Sequence, residues 1–153
     1  MAAIRESVEI ARSPQDVFAY IDDLGRHGEW QGSIVSVQVE TEGPTRVGSR
    51  ARETRRVPGG PRTFTYEITQ HDPPRSASFR GIDGPVRPVG VVKVDAVGDG
   101  SRSRVTIELD FEGHGFGKLL APMARRDARK QVPQDQARLK QRLESGTGTQ
   151  AAG

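Results

Sequence analysis

Between Ser33 and Gly113 the chain divides into short segments in which apolar and polar residues alternate, and each segment ends in a cluster of Gly, Pro or Asp. Val35, Val37 and Val39 alternate with Ser36, Gln38 and Glu40. Further runs follow at Val47 to Val57, Thr63 to His71, Ser76 to Ile82, Val86 to Val97 and Arg104 to Gly113. The junctions are Gly43-Pro44, Pro58-Gly59-Gly60-Pro61, Asp72-Pro73-Pro74, Asp83-Gly84-Pro85 and Gly98-Asp99-Gly100, residues that supply the positive or fixed φ of a chain reversal. A period of two marks strands with one buried face. Connections this short exclude parallel crossovers, so the strands form an antiparallel meander.

The flanks have a different period. Ile4 to Ala11 reads as a further strand, with Ile4, Val8 and Ile10 on one parity. It runs into Ser13-Pro14-Gln15-Asp16, where Ser13 suits the N-cap, Pro14 the first helical position and Asp16 the helix dipole. Val17, Phe18 and Ile21 then share one side of a short helix, which Asp22-Asp23 and the glycines Gly25 and Gly28 end just before Trp30. Beyond Gly113-His114-Gly115 the spacing of Phe116, Leu119, Leu120, Met123 and Ala124, and later Leu139 and Leu143, is helical. This helix is the one long element available to cover the apolar face of the sheet. Pro122 and Pro133 each delete a helical hydrogen bond, which predicts a kinked or split helix. The expected fold is α+β, a curved seven-stranded antiparallel sheet around a long C-terminal helix. A length of 153 residues suits one domain, taken as 1–145, with 146–153 as a flexible tail.

Several function classes drop out. The chain has no cysteine, so disulfides and thiolate chemistry are excluded. His27, His71 and His114 lack metal-ligand spacing, and neither a metal nor another cofactor is expected. No P-loop, GxGxxG or GxSxG is present. Arg5, Glu6 and Glu9 interrupt any signal-peptide core, and no apolar run reaches the ~18 residues of a transmembrane helix. The expectation is a cytoplasmic protein, monomer or homodimer. Seven basic residues stand against three acids from Arg125 to Glu144, and Arg52, Arg55 and Arg56 form a second run. Both read first as solvated faces. Without an aromatic platform on the basic helix, no nucleic acid partner is expected.

The order strand, short helix, Trp, six strands, long helix, with the words SVEIARSPQDVFAYIDD, VGSRARETRRV, YEITQHDPPRSASFRG and VGDGSRSRVTIELDFEGHGFGKLLAP, resembles the START-like, helix-grip (SRPBCC) group, in particular the polyketide cyclase/dehydratase and lipid-transport family. The resemblance covers about Ile4 to Leu143. It implies two short helices between strands 1 and 2 and a cavity between sheet and C-terminal helix for a small apolar ligand such as a lipid, polyketide or aromatic compound. Ala51, Ala77 and Val92 stand where relatives often carry larger residues, which implies a roomier cavity here.

If the inward parity on the third strand is that of Ala51, then Glu53 and Arg55 point inward too, beside Phe64, Tyr66 and Ile68 of the next strand. A carboxylate, a guanidinium and a phenol can orient the polar group of an apolar ligand or do general acid/base work on a keto or enol group. The competing account of Glu53 and Arg55 is a charged strand end that guards an edge against aggregation. Trp30 serves either as cavity wall or as core anchor. Phe79, Val92, Leu109, Phe111, Leu120 and Met123 complete the expected ligand-binding set, and no residue is assigned a catalytic role. Three functions stay open: a carrier or sensor of an apolar ligand, a polyketide cyclase or dehydratase with Glu53, Arg55 or Tyr66 handling protons, and an interaction protein acting through the basic helix.

Overall fold

A computed structural model of the chain describes residues 3–145; the expected tail at 146–153 lies outside the described residues. Strand β1 (Ile4–Ile10) leads into helix α1 (Pro14–Asp22) and a 3₁₀ segment (Leu24–Glu29). The meander follows as β2 (Ile34–Val39), β3 (Arg50–Val57), β4 (Gly60–Asp72), β5 (Ser76–Gly81), β6 (Val86–Val97) and β7 (Arg102–Gly113), and helix α2 spans Gly117–Glu144. All seven strands form one antiparallel sheet in the order β1-β7-β6-β5-β4-β3-β2, so the first two strands in sequence lie at opposite edges.

Local chemistry sets the element ends. Ser13 Oγ accepts from the Asp16 amide at 3.2 Å and Pro14 opens α1, satisfying a donor that the helix start leaves free. Val47 lies in an exposed turn, and β3 starts later than the alternation implies, at Arg50, because Gly48 holds φ of +92° there. Register shifts at Ile34/Ser36 in β2 and Ile68/Gln70 in β4 insert an extra residue, the device that bends a sheet.

Helix α2 is continuous, against the expected split at Pro122 and Pro133. Both prolines are exposed, so water can satisfy the carbonyls they strand. Meanwhile Ala121, Ala128, Val132, Leu139 and Leu143 are buried on the opposite face. All but Ala121 join Ile4, Ile10, Val17, Phe18, Trp30, Val94, Val105 and Ile107 in the main core. Gln136, 3% exposed, is satisfied there by donating to the Glu6 carbonyl at 2.9 Å.

The start of α2 departs from the periodicity. Phe116 and Leu119 are 65% and 80% exposed rather than turned to the sheet, and Met123 is half exposed at the cavity border. Gly117 explains how this end is fixed: a Cβ there would fall 1.8 Å from the Pro85 carbonyl oxygen, which also accepts from the His114 amide at 2.8 Å. The helix begins hard against the β5–β6 turn, and that contact orients its first turn outward.

The basic stripe is partly engaged with the rest of the molecule. Arg125 reaches Asp110 at 2.6 Å and the Phe111 carbonyl at 2.9 Å, Arg138 donates to the Trp30 carbonyl, and Lys140 bridges to Glu144 and the Glu9 carbonyl. Arg126, Arg129 and Lys130 are exposed. The stripe is thus a solvated face in which Arg125, Arg138 and Lys140, still 32%, 42% and 39% exposed, are also tied to the fold. No helix among the described residues is long and apolar enough to cross a membrane.

Candidate functional site

Between the concave sheet face and α2 lies a cavity of about 340 Å³, within the usual range for small-molecule sites. Its apolar wall includes Phe18, Ile21 and Leu24 from the two short helices, Phe64 and Ile68 from β4, Ala77 and Phe79 from β5. Val92, Leu109 and Phe111 continue it on β6 and β7, and Leu120 and Met123 close it from α2. Gly90 lets the floor form: a Cβ there would stand 2.8 Å from the Phe79 ring and 2.5 Å from the Glu108 carbonyl oxygen. Phe79 in turn packs edge-on to Tyr66, with centroids 6.1 Å apart.

The inward parity of β3 carries Glu53 and Arg55 to the wall of this cavity. Glu53 is 3% exposed and accepts from Arg55 Nε at 2.6 Å. Arg55 donates from one terminal nitrogen to Ser33 Oγ at 2.9 Å and from the other to Gln31 Oε1. The second run thus divides: Arg52 and Arg56 are exposed, whereas Arg55 is turned in. Glu53 does not stand at an edge, since β3 is flanked by β2 and β4.

His27 and Tyr66 stand beside the pair. His27 Nε2 donates to the Ile21 carbonyl at 2.7 Å, which leaves Nδ1 as the acceptor for the Tyr66 hydroxyl at 3.5 Å. Burial holds the His27 pKa below its ordinary value, so the ring is uncharged near neutral pH. Burial, reinforced by the Glu53 charge, pushes the Tyr66 phenol upward, so it acts as a donor.

Trp30 lies on the same wall, 2% exposed, its ring 5.7 Å from that of His27. Helix α2 pins the loop around it: Arg138 donates to the Trp30 carbonyl at 3.1 Å, and Asp135 Oδ1 accepts from the Gly32 amide at 3.0 Å. Burial raises the pKa of Asp135 above the usual carboxylate value despite that bond and the nearby Arg55 and Arg138 charges. Farther along, Asp22 accepts from His71 Nε2 at 2.9 Å, and burial raises its pKa against that contact. Two buried polar atoms among the described residues have no hydrogen-bond partner, Trp30 Nε1 and Glu53 Oε2, and both residues line the cavity.

Of the twelve residues expected to bind ligand, eleven line this cavity: Trp30, Glu53, Arg55, Phe64, Tyr66, Phe79, Val92, Leu109, Phe111, Leu120 and Met123. Ala51 does not. It is completely buried in a small cluster with Leu24, Tyr66 and Ile68, where Leu24 from the 3₁₀ segment lies among its neighbours. His27, Gln31, Ser33 and Asp135 were missed, because three sit outside the strands and Asp135 sits on a helix whose charge pattern reads as surface. Among the described residues no three Asp, Glu or His side chains converge on a metal-sized site.

The sheet closed over a long terminal helix with a side-chain-lined hollow between them defines a helix-grip, START-like fold. Solved structures share it: Zhui aromatase/cyclase from Streptomyces sp. R1128 superposes with a TM-score of 0.80 at 18% identity, covering 98% of this chain and 96% of that one. TTHA0849 from Thermus thermophilus gives 0.76 at 20% identity, covering 94% and 98%. A START superfamily protein from Mycobacterium smegmatis gives 0.67 at 14%, covering 95% and 97%. No curated protein matches the chain. The family model described as polyketide cyclase / dehydrase and lipid transport matches residues 1–144, and the chain belongs to that family.

Proposed function

We propose that the protein binds a small, largely apolar molecule between the sheet and α2. The observation that carries this reading is the cavity of about 340 Å³ with aromatic and aliphatic walls and polar groups gathered around Glu53 and Arg55. Apolar walls supply affinity through buried area, and a few fixed polar groups set orientation. Met123, half exposed where it borders the cavity, and its exposed neighbours Phe116 and Leu119 offer an apolar approach to it. Native mass spectrometry of protein taken directly from cells tests this. A bound organic mass that is released on denaturation supports the reading, and ligand-free protein that also takes up no apolar compound refutes it.

A second reading, a polyketide cyclase or dehydratase, is favoured by one feature: Glu53, Tyr66 and His27 place an acceptor, a protonated phenol and a neutral imidazole on the cavity wall. A carboxylate and a phenol are suited to removing and returning protons at a keto or enol group. Incubating the protein with its co-purifying molecule separates the two readings, since a carrier returns it unchanged and an enzyme converts it.

A further inference from the structure

We propose that the cavity selects ligands bearing a neutral hydroxyl group, a phenol or enol on an apolar frame, and rejects carboxylates. This deepens the ligand-binding reading above and rests on it. The starting point is the pair of unpartnered atoms. Trp30 Nε1 and Glu53 Oε2 are buried, and the residues that carry them, at most 3% exposed, both border the cavity. Such atoms are costly to leave unmatched in a folded protein.

Their chemistry is complementary. An indole N–H only donates, and a carboxylate oxygen only accepts. A hydroxyl does both, so it can meet either atom. A carbonyl satisfies Trp30 alone, a methyl group neither.

The usual receptor for a ligand carboxylate would be Arg55, but three of its five N–H donors are used on Glu53, Ser33 and Gln31, and its charge is already matched by the Glu53 carboxylate. The remaining charges on the wall are unfavourable to an anion as well. Asp22, Glu53, Asp127 and Asp135 border the cavity against Arg55 and Arg62, and His27 is kept uncharged by burial. A second carboxylate brought beside Glu53 would add like-charge repulsion to the cost of its own dehydration.

Three fluorescent probes of one shape test the proposal: 2-methylanthracene, 2-hydroxyanthracene and anthracene-2-carboxylate, titrated into the full chain at pH 7. The phenol is neutral there. The hydroxyl compound is expected to bind about tenfold or more tighter than the methyl compound, the size of one hydrogen bond to a charged group. The carboxylate is expected to be the weakest of the three. Glu53→Gln removes the repelling charge and frees Arg55, so the carboxylate gains about tenfold or more and overtakes the phenol. Trp30→Phe keeps the ring but not the donor, narrowing the phenol's advantage over the methyl compound while the carboxylate stays excluded. If the wild-type protein binds all three alike, or prefers the carboxylate, the selectivity proposal is wrong while the cavity reading stands. If none binds, both fall together.

Discussion

Breaking the Glu53–Arg55 pair from either side should cost very different amounts. Arg55→Met leaves the Glu53 carboxyl, with 4% side-chain exposure, without its ion-pair partner and with neither oxygen hydrogen-bonded. An uncompensated buried charge of this kind costs about 3–5 kcal/mol. Glu53→Gln leaves the guanidinium instead, whose side chain is 23% exposed and still bonded to Ser33 and Gln31. Water reaches it, so about 1–2 kcal/mol is expected. For a chain of this length each kcal/mol moves the melting temperature by roughly 2–4 °C. Arg55→Met should therefore melt roughly 6–20 °C lower than the parent, and Glu53→Gln only a few degrees lower. The double variant removes both charges and should lie above Arg55→Met alone. Urea and thermal unfolding of the four proteins measure this cycle. Equal losses from the two single changes, or losses that simply add in the double variant, would refute the picture of a deeply buried carboxylate held by a partly hydrated arginine.

Other expectations follow from single contacts. Leu139→Ala empties a completely buried site on α2 and should cost about 2–5 kcal/mol in urea unfolding. Gly117→Ala drives a methyl group into the Pro85 carbonyl oxygen and should lower stability by about 1–3 kcal/mol, with amide exchange rising first at the start of α2. Because burial depresses the His27 pKa, the native state binds fewer protons there than the unfolded chain. Stability from this group is complete above the unfolded value of ~6.5 and declines as pH falls through it. Melting curves between about pH 8 and 5, which bracket that value, should show the decline, and His27→Gln should flatten it. Asp22 and Asp135, whose values are raised by burial, act with the opposite sign at lower pH, where they favour the native state.

Much of this architecture can be read from periodicity, because a strand with one wet face has to alternate. Val105, Ile107, Leu109 and Phe111 gave the inner face of β7, and the parity of Ala51 carried Glu53 and Arg55 inward with it. Parity cannot say how far along a strand the cavity extends. Ala51 and Glu53 share a face, yet the first is packed in the cluster with Leu24 and the second borders the hollow. Loops carry no period, so Gln31, Ser33 and His27 gave no signal; their positions depend on long-range bonds from Arg55, Tyr66 and Asp135. The prolines of α2 misled for a related reason. Proline chemistry states which bond is lost, but only the packed structure states that the loss faces water. At Phe116 and Leu119 the helical spacing continued past the point where the sheet could bury it, since Gly117 against Pro85 fixes the helix entry.

The central claim is that the hollow under α2 takes up a small apolar molecule, and Trp30 offers the most direct measurement. It is the single tryptophan of the chain and forms part of the cavity wall, so its emission responds to what enters that space. Titrating 2-methylanthracene while following Trp30 emission should give saturable one-to-one quenching with a micromolar or tighter Kd. Val92→Phe, which fills part of the cavity, should weaken it about tenfold or more at unchanged fold, in line with the loss of buried apolar area. Emission that does not respond, or a response identical in Val92→Phe, would contradict the account.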